Sequence, residues 1–251
     1  MHSVLDIELT AYAVSFRESG FAVFPRLLPD AEVDRLRQAI ESIPDCDAVR
    51  RKRNVYGVRN LLDLSPEICR LAALPEIRRL VTPILGEGAF AARALFFDKV
   101  PGANWALGWH QDSVIAVAEC REVPGFLAWG QKAGVWQVQP PPEILAEMVA
   151  VRVHLDDCGP ENGPLRVIPG SHRQGWLDNE IARWKREVEP VTCLTSAGGA
   201  VTMCPLILHA SSKALSPSHR RVVHIEYASQ ELPGGLQWHR RVGISESATI
   251  V

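Results

Sequence analysis

From residue 91 onward the apolar residues come in short runs separated by clusters of Gly, Pro, Asp and Asn, and no other feature constrains the fold as much. The runs cover residues 91–100, 110–117, 149–155, 165–168, 200–204 and 221–227. Each is too short for a stable helix and is bounded by turn residues, so each reads as a strand. The first 90 residues read differently. Asp30 opens a helical pattern with Val33, Leu36, Ile40 and Ile43 on one side. Ser65-Pro66 sets a cap and a first-turn proline ahead of Ile68, Leu71 and Ala72. Pro75 opens a third pattern with Ile77, Leu80, Val81, Ile84 and Leu85, and Gly86 closes it. Helices followed by many short strands predict an α+β fold that is mainly β. Antiparallel pairing of those strands into two facing sheets gives a double-stranded β-helix, or jelly roll, with the helices packed on one sheet. The whole chain, 1–251, reads as one domain: a helical part over about 1–90 and a barrel over about 91–235. The insertion at 118–147 carries Pro124-Gly125 and Pro140-Pro141-Pro142 and reads mostly as loop at the barrel mouth.

Charge and hydropathy narrow the partners. Lys and Arg number 27 and Asp and Glu 29, a net charge of -2, which removes the electrostatic case for nucleic acid. No run approaches the roughly 18 apolar residues of a membrane span, so no membrane partner is expected. The start, Met1-His2-Ser3-Val4, has no basic region followed by an apolar one and reads as no signal peptide. Cys46, Cys69, Cys120, Cys158, Cys193 and Cys204 include no CxxC pair. They read as free buried thiols in a cytoplasmic protein.

The chemistry concentrates in Gly108-Trp109-His110-Gln111-Asp112. On a strand, residues i and i+2 share a face about 7 Å apart, so His110 and Asp112 project together. An imidazole and a carboxylate on one face need a third ligand to hold a divalent metal. Two histidines with one carboxylate is the set used by non-haem Fe(II) oxygenases. His209 ends the apolar run Pro205-Leu206-Ile207-Leu208, where a ligand at a strand end belongs. Arg220 lies eleven residues further on, at the start of the next run, and a hairpin return can bring it back to clamp a carboxylate. Ser211 can add a hydroxyl donor.

With these elements in place the chain resembles the phytanoyl-CoA dioxygenase family of Fe(II)- and 2-oxoglutarate-dependent oxygenases. The resemblance rests on Trp109-His110-Gln111-Asp112, on His209 with Ser211 and Arg220, and on Leu155-Asp156-Asp157-Cys158. It extends to the stretch from Glu161-Asn162-Gly163-Pro164 to Ser171-His172 and to Gly20-Phe21-Ala22-Val23-Phe24, covering about residues 11–235. It implies that His110, Asp112 and His209 bind iron and that Arg220 with Ser211 holds the distal carboxylate of 2-oxoglutarate. It also implies that Gln111 contacts the cosubstrate and offers Lys99 as a further carboxylate contact. The family often has Gly-Asp where this chain has Gly199-Ala200, so no role carries over there. A carboxylate at 112, rather than the small residue of related halogenases, implies hydroxylation of a small organic molecule, with O2 consumed and 2-oxoglutarate converted to succinate.

Other residues are placed by pattern. Arg152, His154 and Asp156 alternate with Val151, Val153 and Leu155, which makes one strand face polar, either solvated or lining the pocket. Arg50-Arg51-Lys52-Arg53 reads as a solvated loop, with an anion-facing patch as the alternative. Arg59, Arg152 and His154 are substrate candidates, and the arginines suit an anionic substrate. Of the seven tryptophans, Trp129 and Trp136 are candidates for the pocket wall. His172 reads as capping or solvent-facing, His219 as loop, His224 as a support behind the ligands and His239 as structural. Two other functions fit a metal-bearing jelly roll: an enzyme that does not use 2-oxoglutarate, and a non-catalytic small-molecule binding module. Arg220 and Ser211 argue against the first, and the intact ligand positions against the second. No oligomeric state is read from the sequence.

Overall fold

The computed structural model describes residues 4–244. The helical part contains α1 (Val4–Ser19), α2 (Asp30–Glu41), α3 (Leu61–Leu64), α4 (Pro66–Ala72) and α5 (Pro75–Leu85), interleaved with the strands β1 (Phe21–Phe24), β2 (Val49–Arg51) and β3 (Val55–Val58). The barrel follows as β4 (Phe90–Phe97), β5 (Leu107–His110), β6 (Ile115–Val117), β7 (Leu127–Lys132), β8 (Val135–Gln139), α6 (Pro142–Ala146), β9 (Val149–His154) and β10 (Leu165–Val167). It ends with α7 (Ile181–Glu187), β11 (Val191–Cys193), β12 (Ala200–Met203), β13 (His209–Ser211), β14 (Val222–Ala228) and β15 (Val242–Gly243).

The strands pair antiparallel into a major sheet, ordered β1-β12-β9-β14-β4-β3-β2, and a minor sheet, ordered β11-β10-β13-β5. This is the expected jelly roll. On the major sheet, side-chain parity separates two cores. Val149, Val151 and Val153 of β9, with Val223, Ile225 and Tyr227 of β14, join the core shared with the helices. The opposite face turns toward the minor sheet, where Ala150, Val201 and Met203 meet Leu165, Val167, Cys193 and Ile207. The helices dock as their spacing requires. Val33, Leu36 and Ile40 of α2 and Ile77, Leu80 and Val81 of α5 are all buried. Each such side chain contributes on the order of 1.5–3 kcal/mol.

Four expectations need correction. Asp30 does not cap α2; Pro29 occupies that position, and Asp30 sits in the first turn, paired with Arg26. The run at 110–117 is not one strand: β5 stops at His110 and β6 begins at Ile115. Residues 118–147 are not mostly loop. They contain the β7–β8 hairpin, which pairs with β6 as a third sheet, and α6. The hairpin turns on Ala133 and Gly134 at φ 50 and 79, both positive as a two-residue type I′ turn demands. The cysteines are all free, but only Cys158, Cys193 and Cys204 are buried; Cys46 and Cys120 are exposed. No helix among the described residues is long and apolar enough to cross a membrane.

Candidate active site

His110 and His209 are cross-strand partners on β5 and β13. That register brings their rings together, with centroids 4.1 Å apart. Asp112 follows the end of β5, and its backbone N–H donates to the Pro205 carbonyl at 2.9 Å, which holds the loop against the approach to β13. Its Oδ1 lies 3.7 Å from His209 Nε2 and 4.0 Å from His110 Nε2. One donor atom from each of the three residues fits within 4.8 Å of the others, a separation one metal ion can bridge.

The ring orientations are fixed by the backbone. His110 Nδ1 is 2.8 Å from the Gly108 carbonyl, and His209 Nδ1 is 2.9 Å from the Ile207 carbonyl. A carbonyl only accepts, so each Nδ1 carries the hydrogen and each Nε2 presents a lone pair to the centre. Burial pushes the His209 imidazole down to about 4, so it is neutral near pH 7. Burial alone would raise the Asp112 carboxyl, but His209, His224, His110 and Arg93 outweigh it and hold it at about 2. Two imidazoles with Nε2 turned inward and an ionised carboxylate can serve as a ligand set.

A second group forms behind Asp112. His224 Nε2 lies 3.9 Å from Asp112 Oδ2 and 3.4 Å from Glu226 Oε1, and Glu226 pairs with Arg93 at 2.7 Å. Asp112, His224 and Glu226 also cluster closely enough to suggest a metal site. Their hydrogen bonding argues otherwise. Arg152 Nη1 sits 3.0 Å from His224 Nδ1 and can only donate, so Nδ1 accepts and the Nε2 that faces the two carboxylates carries a hydrogen rather than a lone pair. The group instead stands beside the Oδ2 of Asp112, where His224 helps to keep the carboxyl ionised.

Beside His110, Asp112 and His209 lies a cavity of about 70 Å³, walled by Leu95, Phe97, Trp105, Leu107, Leu165 and Ala210 and by the polar Arg152, Ser211, Arg220 and His224. Asp98 accepts from the Arg220 backbone N–H at 2.8 Å, fixing the residue just ahead of β14. Its guanidinium reaches back so that Nη1 donates to the Gly163 carbonyl at 2.6 Å. Gly163, at φ 61, permits this crowding; a Cβ there would lie 2.5 Å from the Ser212 carbonyl oxygen. Lys99 is fully buried and donates to Ser211 Oγ at 3.2 Å and to the Ser212 carbonyl. No carboxylate forms an ion pair with the side chain of Lys99, Arg152 or Arg220 among the described residues, and Nε of both arginines is buried without a hydrogen-bond partner. Burial and the neighbouring Arg220 push the Lys99 ammonium down to about 7, and burial with the nearby Arg152 lowers Arg220 to about 10. Uncompensated buried cations of this density fit a bound carboxylate.

The remaining predicted residues are distributed unevenly. The polar face of β9 points inward: Arg152 lines the cavity, and His154 is buried beyond it, pushed down to about 3 by burial, Arg152 and Arg220. Asp156 instead forms a structural clamp on Arg221 and Arg37. Gln111 faces away from the cavity, its carboxamide bonded to the backbone at Gly175, Leu206 and Leu177. Trp129 and Trp136 pack against the helix-side core rather than the cavity. Trp105 is the tryptophan on the wall. Arg59 lies in a second cavity of about 500 Å³, which shares Leu95, Phe97 and Trp105 with the first. His172 rests on Gly20, with Nε2 3.2 Å from the Arg17 carbonyl, His219 pairs with Asp98 and His239 with Asp63.

A jelly roll whose minor sheet presents two histidines and a carboxylate to one point is a framework of non-haem iron enzymes. A family model described as phytanoyl-CoA dioxygenase matches residues 16–222, and the chain belongs to that family. The L-proline trans-4-hydroxylase of Streptomyces griseoviridis is 27% identical over 85% of this chain and 84% of its own. The ectoine dioxygenase of Bordetella bronchiseptica is 24% identical over 86% of this chain and 74% of its own. The structure of EctD from S. alaskensis with 2-oxoglutarate and 5-hydroxyectoine superposes with a TM-score of 0.67 at 22% identity, covering 94% of this chain and 83% of that one. The protein is accordingly a non-haem iron dioxygenase that uses 2-oxoglutarate and acts on a small molecule.

Proposed function

We propose that His110, Asp112 and His209 hold the iron, that Arg220, Ser211 and Lys99 hold the distal carboxylate of 2-oxoglutarate, and that the enzyme hydroxylates a small, negatively charged organic molecule. The observation that carries this is the pairing of a preset ligand triad with uncompensated buried cations a few residues away in the same cavity. Iron(II) with 2-oxoglutarate and O2 supplies the oxidation of a C–H bond. The chain's own contribution is positional. The Gly108 and Ile207 carbonyls aim the two imidazoles, and His224 helps to keep Asp112 ionised. Arg220 offers two parallel N–H donors to a carboxylate, which sets the direction in which the keto acid lies. Arg152 sits where it can meet either the cosubstrate or the substrate, while His154, neutral and behind it, shapes the pocket floor. Leu95, Phe97, Trp105 and Leu107 form the apolar wall that keeps water from the reacting centre. Gln111 acts by bracing the ligand loop. Trp129 and Trp136 support the hairpin beside the mouth.

The reading is tested by succinate release. Purified protein with Fe(II), ascorbate and 2-oxoglutarate should release succinate above background once an oxidisable substrate is present. Arg220→Gln should raise the 2-oxoglutarate concentration needed for half-maximal rate by at least about tenfold, the usual loss for one charge-assisted pair. An unchanged requirement would remove Arg220 from the clamp.

A further inference from the structure

The larger cavity has a one-sided charge pattern. Arg50 and Arg59, on either side of the β2–β3 hairpin, and Lys132 at the end of β7 contribute three cations to its lining. None of the three side chains has a hydrogen bond or ion pair within the described residues. Arg93, on the floor, is already taken by Glu226. Tyr56, Phe97 and Trp105 line the cavity between the cations and the metal ligands, and Gln137 adds an uncharged carboxamide. Among the described residues, the only acidic side chain that lines either cavity is Asp112, which the ligand set uses. A substrate ammonium group would therefore find no carboxylate to meet it, and it would face a net positive field. The volume, about 500 Å³, also exceeds what a free amino acid with one five-membered ring fills.

On the basis of the oxygenase reading above, we infer that the substrate is an elongated anion of at least two negative charges with no free ammonium group. Its charged end rests on Arg50, Arg59 and Lys132, and its apolar body runs past Tyr56 and Trp105 to the metal ligands. This separates the chain from its relative that is named for L-proline, a zwitterion. Phosphate esters and polycarboxylates share the required chemistry.

The test uses the full-length wild-type protein with pyrophosphate, tricarballylate and L-proline as probes, followed by calorimetry at low salt. Both anions should bind and should weaken as salt rises, and L-proline should not bind. Tighter binding of pyrophosphate assigns a phosphate ester, and tighter binding of tricarballylate assigns carboxylates. Arg59→Gln and the exposed-site Lys132→Gln should each weaken the anion by about tenfold. Binding of L-proline in preference to both anions, or anion binding indifferent to both substitutions, overturns the inference. Failure of the oxygenase reading is a separate result: wild-type protein would then show no iron-dependent response to 2-oxoglutarate while its anion binding stood.

Discussion

The two faces of β9 and β14 carry opposite chemistry on the same backbone. Toward the helices stand Val149, Val151, Val153, Val223, Ile225 and Tyr227, all inaccessible to solvent. Toward the minor sheet stand Arg152, His154, His224 and Glu226, equally buried but ionisable. Burying such groups costs stability unless a partner or ligand compensates them. The apolar face supplies stability that offsets the cost of burying ionisable groups on the polar face, where Glu226 is paired with Arg93 and His224 with Arg152, while Arg152 has no carboxylate partner. Stability and function thus segregate by strand parity, and substitutions on the two faces should separate cleanly.

The sharpest break is on the polar side. Asp112→Ala should cost well over a hundredfold in Fe(II) affinity, beyond the about 10- to 100-fold typical of residues that only support a ligand, and should abolish turnover. Fe(II) titration followed by succinate assay checks both, and full turnover in the purified variant would remove Asp112 from the ligand set. The mirror experiment is Ile225→Ala on the apolar side. It should cost about 2–5 kcal/mol of stability by leaving a cavity against the helices, with Fe(II) affinity retained. Denaturant unfolding and Fe(II) titration of one preparation measure the two quantities together, and lost metal affinity without lost stability would undo the segregation.

A smaller effect sharpens the comparison through pH. The Lys99 ammonium is held at about 7 in the ligand-free fold, against 10.5 for the unperturbed group. A bound carboxylate should restore the charged form, so binding takes up a proton above pH 7. Affinity for 2-oxoglutarate should therefore fall as pH rises through about 7 and beyond, and Lys99→Met should flatten the profile at a lower affinity. The same shift makes the ligand-free fold gain stability between about pH 7 and 10.5, because over that window the unfolded chain binds the extra proton. Calorimetry in buffers of different ionisation enthalpy counts the proton.

Much of this was legible in the sequence, for physical reasons. His110, His209 and Arg220 lie at or beside strand ends, the family resemblance joined them with Asp112 into one set, and the β9 and β14 runs carry apolar-polar alternation. Which face of β9 points inward was not legible, because alternation defines two faces and not which one is buried. The structure turns Arg152 and His154 in. The Arg93–Glu226 pair spans 133 positions and leaves no local trace. Its one clue is that Glu226 shares parity with His224. The β7–β8 hairpin escaped because its turn uses Ala133-Gly134, with an alanine at positive φ where Asn or Asp would have signalled the turn. Gln111 lies between His110 and Asp112 just past the end of β5, and its carboxamide turns to the backbone at Gly175 and Leu206. Trp105 precedes β5 in an irregular segment, where periodicity gives no orientation.

The central claim is that one cavity holds iron on His110, Asp112 and His209 and 2-oxoglutarate against Arg220. Anaerobic absorption spectroscopy tests it most directly, with Fe(II) added to the apo-protein and 2-oxoglutarate added second. The account predicts a weak visible charge-transfer band that appears only when both are present and is lost in Asp112→Ala. Bound iron with no band on adding 2-oxoglutarate would contradict it.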